Sequence, residues 1–255
     1  MKQAGLDHLE LPIRTSGHQS RLGDDPLVTT DSTLNDLKAV EQLLAANDVR
    51  VSSCNILSGN PSRPGVLDII KRKIDLASHF GVSLVVGEAG DADDETSRAE
   101  LYRLLAQIGD YAGALGITYC LETHAGLCVN HRSMLDTMSR LGHPNVKLNF
   151  DTGNLLFYNE HINGEIALAK VCHHVRHLHL KDTTGQFGRR HFPALGYGGA
   201  VDFSCVLDSM RSCGFSGPYS IEVPGTDGEG DLPLDAYHRR VRKSVAHLRT
   251  CGYFN

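Results

Sequence analysis

Four short apolar stretches in this chain carry a side chain able to hold a metal ion or move a proton. They are Tyr119-Cys120-Leu121-Glu122, Lys147-Leu148-Asn149-Phe150-Asp151, His177-Leu178-His179-Leu180-Lys181-Asp182 and Tyr219-Ser220-Ile221-Glu222. Glu122, Asp151, His179 and Glu222 are separated by 29, 28 and 43 residues. That spacing suits one βα unit per residue, because a parallel crossover with its helix takes at least a dozen residues and usually about thirty. In the third stretch, strand alternation sends His177, His179 and Lys181 to one face and Leu178 and Leu180 to the other. One face is made for burial and the other presents chemistry.

Strand-like runs fall at 7–11, 49–56, 82–87, 117–123, 146–151, 175–180 and 219–223. Between them lie stretches of helical spacing, such as Leu34, Leu37, Val40, Leu43 and Leu44, then Leu101, Leu104, Leu105 and Ile108, then Val206, Leu207 and Met210. Gly81, Gly116, Gly142 and Gly214 each stand just before a strand, where a helix C-terminus needs a left-handed residue. Such alternation means parallel strands with crossover helices, either a closed barrel or a doubly wound sheet. Four reactive groups from four separate strand ends meet readily at one barrel mouth and less readily along an open sheet. The expected fold is therefore an α/β, TIM (β/α)8-type barrel, with residues 1–255 as one domain. With 255 residues and 41% hydrophobic content, the chain has the length and core for it. Only seven strands are countable, however, and the chain enters Gly5-Leu6-Asp7-His8-Leu9-Glu10-Leu11 almost at once. The first βα unit is absent from the pattern. The exposed strand edges that result give a partner copy a surface to cover, so a homo-oligomer is one expectation.

A net charge of −5 without a basic block gives a phosphate backbone no electrostatic footprint, and no nucleic-acid partner is expected. Seven cysteines form no C-x-x-C pair and are odd in number, so reduced, mostly buried thiols are expected rather than a disulfide framework. No leader pattern and no apolar run long enough to span a bilayer is visible, which makes the cytoplasm the expected location and a membrane partner unexpected.

Glu122, Asp151, His179 and Glu222 offer three carboxylates and one imidazole. Grouping three carboxylates without a cation would repel strongly or force protonation, so their convergence would call for one divalent metal ion. A mostly oxygen donor set suits Mn, Mg or Co as readily as Zn.

The ordered motifs Gly5-Leu6-Asp7-His8-Leu9-Glu10-Leu11, Leu121-Glu122-Thr123-His124-Ala125-Gly126, Phe150-Asp151-Thr152-Gly153-Asn154, His177-Leu178-His179-Leu180-Lys181-Asp182, Leu195-Gly196-Tyr197-Gly198-Gly199-Ala200-Val201-Asp202-Phe203 and Ser220-Ile221-Glu222 resemble the sugar phosphate isomerase/epimerase superfamily. That superfamily has a xylose isomerase-like TIM barrel, and the resemblance runs from about residue 5 to 245. It implies that His179 holds the metal with Glu122, Asp151 and Glu222. In the ketose 3-epimerase branch, the glutamates at the Glu122 and Glu222 positions also move the proton. The implied activity is isomerisation or epimerisation of a small sugar or keto-polyol through an enediolate. Dehydration of a keto-inositol or keto-sugar begins with the same proton abstraction, and a non-catalytic sugar-binding barrel is the reading from outside catalysis. Apurinic endonucleases of the endonuclease IV type share the superfamily, but their three-zinc site needs histidines where this chain has Asn154, Ser53-Cys54-Asn55 and Gly87-Glu88.

Other polar residues carry paired expectations. His177, one pleat below His179, reads as a buried, hydrogen-bonded histidine more than as a ligand. His173 and His174 precede the strand and read as exposed. His124 and Asn154 are candidates for substrate hydroxyls, Asn154 alternatively as a loop-capping amide. Lys181 reads either as an electrophile and anchor for substrate or as the ion-pair partner of Asp182 or Glu88. Glu88 and Glu10 stand to line the pocket or merely to hydrogen-bond in the mouth. Arg14, His18 and Arg21 fall in a loop above the mouth and read as a solvated loop more than as a clasp for a phosphate or carboxylate. Gly196-Tyr197-Gly198-Gly199, lacking a strand-then-helix context, reads as a turn that shapes the pocket.

Overall fold

A computed structural model describes residues 2–17, 26–226, 229 and 232–254. The strands in chain order are β1 (His8–Arg14), β2 (Val28–Thr29), β3 (Arg50–Asn55), β4 (Leu84–Gly87), β5 (Thr118–Glu122), β6 (Val146–Asp151), β7 (Val175–Leu180), β8 (His191–Phe192), β9 (Tyr219–Ile221) and β10 (Gly225–Thr226). Eight of them form one sheet in the order β2-β1-β3-β4-β5-β6-β7-β9, every pair parallel. From β1 onward the strands neighbour one another in chain order and never reverse. That sequence belongs to barrel winding, since a doubly wound sheet turns back at a switch point.

The helices are α1 (Leu34–Ala46), α2 (Val66–His79), α3 (Glu95–Ala114), α4 (His131–Leu141), α5 (Thr152–Tyr158), α6 (Gly164–Val171), α7 (Phe203–Ser212) and α8 (Leu234–Thr250). Thr33, Asp94 and Asn130 cap α1, α3 and α4 through reciprocal side-chain and backbone bonds. The core lies between strands and helices: Val146, Leu148 and Phe150 of β6 and Leu178 and Leu180 of β7 are buried toward the helices. Their alternates Asn149, Asp151, His177 and His179 are equally buried, toward the barrel axis.

All seven expected strands are present, and the eighth place in the sheet is partly taken by β2. It pairs with Ile13 and Arg14 of β1 and follows β1 in the chain instead of preceding it. Two residues are too few to show alternation, which is why the sequence did not reveal it. Among the described residues no strand pair joins β2 or β1 to β9, so the wall is not closed by hydrogen bonds there. β8 and β10 form a separate antiparallel pair.

Cys172, just after α6, and Cys213, just after α7, form a disulfide with their Cα atoms 6.2 Å apart. This corrects the expectation of reduced thiols at those two positions. Packing of α6 on α7 brings together residues 41 apart in sequence, and nothing local announces it. Cys54, Cys120 and Cys128 are buried free thiols, as expected. No described helix is long and apolar enough to cross a membrane.

Candidate metal and active site

Register places the polar residues in two adjacent rows across the sheet. Glu122 pairs with Asn149, which pairs with His177; Asp151 pairs with His179, which pairs with Ser220. Because all six occupy the axis-facing phase of their strands, parallel pairing alone assembles the cluster. Glu222, one residue beyond β9, bonds its backbone N–H to the Leu180 carbonyl and stands level with Lys181, one pleat above the second row.

The four proposed ligands converge. His179 Nδ1 lies 2.9 Å from Glu122 Oε2, 3.3 Å from Glu222 Oε2 and 3.7 Å from Asp151 Oδ2. Glu122, Asp151 and His179 are almost wholly buried, whereas the Glu222 side chain is 39% exposed and opens onto the cleft. Asp151 divides its work. Its Oδ1 accepts from the backbone N–H groups of Gly153 and Asn154 and so caps α5, leaving Oδ2 for the site.

Lys181 Nζ sits 2.9 Å from Asp151 Oδ2, 2.7 Å from Glu222 Oε1 and 3.0 Å from Asn154 Oδ1. Its buried stem passes over Gly153, where a Cβ would collide with it. Its partners are therefore Asp151 and Glu222, not Asp182 or Glu88. Asp182 instead accepts from Thr183, Gly196 and Val201 and braces the glycine-rich turn, in which a Cβ on Gly199 would strike the Asp182 carboxylate.

Burial raises the Glu122 carboxyl above the usual carboxylate range despite the opposing pull of His179. Burial acts in the same direction on Asp151, but Lys181 and His179 outweigh it and hold that carboxyl low. Burial disfavours charge on His179 and Lys181, yet the surrounding carboxylates raise both. Burial drops His177 to about 4, so that ring is neutral.

The cluster fits a divalent cation. Four carboxylates, Glu10, Glu122, Asp151 and Glu222, crowd the His179 ring, and the Lys181 ammonium contacts only Asp151 and Glu222, so the carboxylates outnumber the cations in contact with them even with the ring protonated. Glu122 Oε1 is buried with no hydrogen-bond partner among the described residues, a state that costs about 1–3 kcal/mol or more for a charged group. Oxygen donors with one imidazole are what a hard or borderline divalent ion takes.

The mouth opens into a cleft lined by Glu88, Glu122, His124, Asn154, His179, Lys181 and Glu222 among others, and the same cavity of 2260 Å³ runs on past β1 and β9 to their N-terminal ends. His124 is exposed and its Nε2 lies 2.8 Å from the Tyr158 hydroxyl. Asn154 donates to the Thr123 carbonyl while its Oδ1 takes Lys181, so one amide both braces the loop and faces the cleft. Glu88 accepts from the Ser58 backbone N–H at 2.6 Å and stays apart from the His179 cluster. His177 is fully buried and hydrogen-bonded by side chains; His173 is exposed as expected, whereas His174, in the short turn packed before β7, is half-buried. Arg14, expected in a solvated loop, instead ends β1, half-buried, and donates to Asn55 Oδ1. His18 and Arg21 lie outside the described residues.

Sequence reading gave no role to Tyr158 or Asn149 and only a weak one to Glu10. Asn149 and Glu10 were detectable as polar residues in the axis-facing phase of their strands; nothing local marks Tyr158.

A sequence model described as the xylose isomerase-like TIM barrel matches residues 1–251. The chain belongs to that family. Among curated proteins, this family member is 25% identical over 238 residues to the L-ribulose-5-phosphate 3-epimerase UlaE of Salmonella heidelberg, covering 87% of this chain and 79% of that one. Among solved structures it matches a xylose isomerase-like TIM barrel protein from Mycobacterium smegmatis in complex with magnesium, with TM-score 0.76, 19% identity, and 98% and 85% of the two chains covered. A structure of L-ribulose 3-epimerase superposes with TM-score 0.70 at 16% identity over 98% of this chain and 85% of that one. These likenesses agree with the fold that the strand order shows.

Proposed function

We propose that this chain is a divalent-metal-dependent sugar epimerase or isomerase acting on a small ketose or keto-polyol. The observation that carries the reading is the convergence of Glu122, Asp151 and Glu222 on His179 Nδ1, with Glu122 Oε1 left unpartnered. The names of the relatives, 3-epimerases of ribulose or its phosphate, support the epimerase arm.

Glu122, Asp151, His179 and Glu222 would hold the cation, which would supply Lewis acidity toward a substrate carbonyl oxygen. Glu122, whose burial raises its proton affinity, is placed to take the proton from the carbon beside that carbonyl. The Lys181 ammonium lies beside Asp151 and Glu222, where it opposes the negative charge that develops on the substrate oxygens. Glu222, on the far side of β6 and β7 from Glu122 and open to the cleft, would return a proton from the other direction. Delivery to the opposite face inverts the carbon; delivery to the neighbouring carbon moves the carbonyl. His124 with Tyr158, Asn154 and Glu88 present hydrogen-bonding groups around the cleft for substrate hydroxyls.

The test is incubation of the purified chain with Mn2+ and a panel of free and phosphorylated ketoses in D2O, followed by NMR. Deuterium entering the carbon next to the carbonyl, with the epimer or the aldose accumulating, supports the reading. An unsaturated product absorbing in the near ultraviolet would replace it with a dehydratase. Binding of sugars with neither exchange nor metal uptake would replace it with a binding protein.

A further inference from the structure

Glu10 comes from the first strand, yet its carboxylate reaches the ring of His179, 169 residues away. Glu10 Oε2 lies 2.9 Å and Oε1 3.1 Å from His179 Nε2, so both oxygens address one ring nitrogen. The Glu10 side chain is only 11% exposed. A carboxylate can only accept, so Nε2 must carry the hydrogen.

The other nitrogen faces the opposite demand. Nδ1 is ringed by oxygens of Glu122, Glu222 and Asp151 and by the Asn149 amide nitrogen at 3.0 Å. The orientation of that amide is not free. Its nitrogen donates to Glu122 Oε2 at 2.7 Å and its oxygen lies 2.8 Å from His177 Nδ1. His177 must therefore carry its hydrogen on Nδ1, and its Nε2 lone pair takes a hydroxyl hydrogen, with Ser53 Oγ at 2.9 Å and Ser220 Oγ at 3.2 Å. Two histidines one pleat apart are thus set in opposite tautomers, with the Asn149 amide between them. His177 Nε2 stands 3.7 Å from Glu10, outside hydrogen-bond reach, so it does not compete for the carboxylate.

We propose that Glu10 is the positioning residue of the metal centre: it fixes the His179 ring with Nε2–H turned to itself and the Nδ1 lone pair turned to Glu122, Asp151 and Glu222. Resting on the metal reading above, this gives the single nitrogen ligand its orientation and raises its basicity through a negative charge on the far side of the ring. The Glu10 carboxylate and the ring nitrogens of His177 and His179 are also close enough to one another to enclose a cation of their own. His177 is already satisfied, donating from Nδ1 to Asn149 Oδ1 and accepting a serine hydroxyl at Nε2, which favours the positioning role.

The test is calorimetric titration of the wild type, Glu10→Gln and Glu10→Asp with Mn2+, with thermal melts of the metal-free proteins to show that each is folded. One site in the wild type, a loss of about 10–100-fold in affinity for Glu10→Gln and partial recovery in Glu10→Asp are expected. Unchanged affinity in a folded Glu10→Gln overturns the inference and leaves the metal reading standing. Two sites in the wild type, one lost with Glu10, overturn it in favour of a second cation. No tight binding by the wild type overturns the metal reading itself. Independently of any variant, 15N-histidine NMR of the Zn2+-loaded wild type should show His179 bound through Nδ1 and protonated at Nε2; coordination through Nε2 contradicts the inference.

Discussion

The Lys181 ammonium lies 2.7 Å from Glu222 Oε1 and 2.9 Å from Asp151 Oδ2, so an internal cation already contacts two of the four groups assigned to the metal. A metal ion held by those four groups would neighbour this ammonium and be repelled by it. Lys181→Met should lower kcat by about 10²-fold, on the scale of one lost electrostatic stabiliser. The same change should leave Mn2+ affinity unchanged or tighter, because a like charge has gone. Steady-state rates read beside a Mn2+ titration check both halves. Weaker metal binding in the variant would show that Lys181 supports the site instead of the substrate.

Glu122 and Glu222 have different surroundings, one buried and one opening onto the cleft, and different effects follow from their removal. Glu122→Gln and Glu222→Gln should each lower turnover by about 10²–10⁴-fold. If each serves one face of the carbon, either variant keeps solvent exchange from one epimer while losing it from the other. Deuterium exchange measured separately from the two epimers reads this out; equal loss from both would mean a single base.

Proton competition sets the direction of metal binding with pH. Burial raises the Glu122 carboxyl, and Glu10 and Glu122 hold a proton on His179 against the effect of its burial. Both groups must lose protons before a cation enters, so affinity rises with pH and levels off once they are ionised and neutral respectively. On the acidic side it falls by about tenfold per pH unit for each proton displaced. Mn2+ titrations in buffers of different ionisation enthalpy measure the protons released, and a pH-independent affinity would contradict the assignment.

Much of this site was legible because strand alternation and βα spacing are local signals. Alternation alone puts His177, His179 and Lys181 on one face, and the separations of Glu122, Asp151, His179 and Glu222 point to a barrel mouth. What stayed hidden depends on approach between distant segments. The Cys172–Cys213 disulfide needs α6 against α7, and Glu10 reaches His179 only because β1 faces β7 across the axis. Arg14 read as loop because the β1 pattern was traced only to Leu11, three residues short of its end. Single two-residue pairings such as β2 carry no period at all.

Lys73 offers a stability test away from the site. It is buried on α2, its Nζ donates to the Leu57 carbonyl at 2.8 Å, and burial lowers its ammonium to about 8 from an ordinary 10.5. Between those values the unfolded chain binds more protons than the folded one, so the wild type gains stability from this residue as pH rises. Below about 8 the cost of the buried charge is constant. Lys73→Met has no such dependence. Urea unfolding of both proteins should show the stability of wild type minus variant increasing from about pH 7 to about pH 10; a decrease would contradict the burial account.

Anomalous diffraction from crystals grown with Mn2+ is the most direct test of the whole account. A single strong peak is predicted between His179 Nδ1 and the carboxylates of Glu122, Asp151 and Glu222. A peak bonded elsewhere, or saturating Mn2+ with none at those four residues, would contradict it.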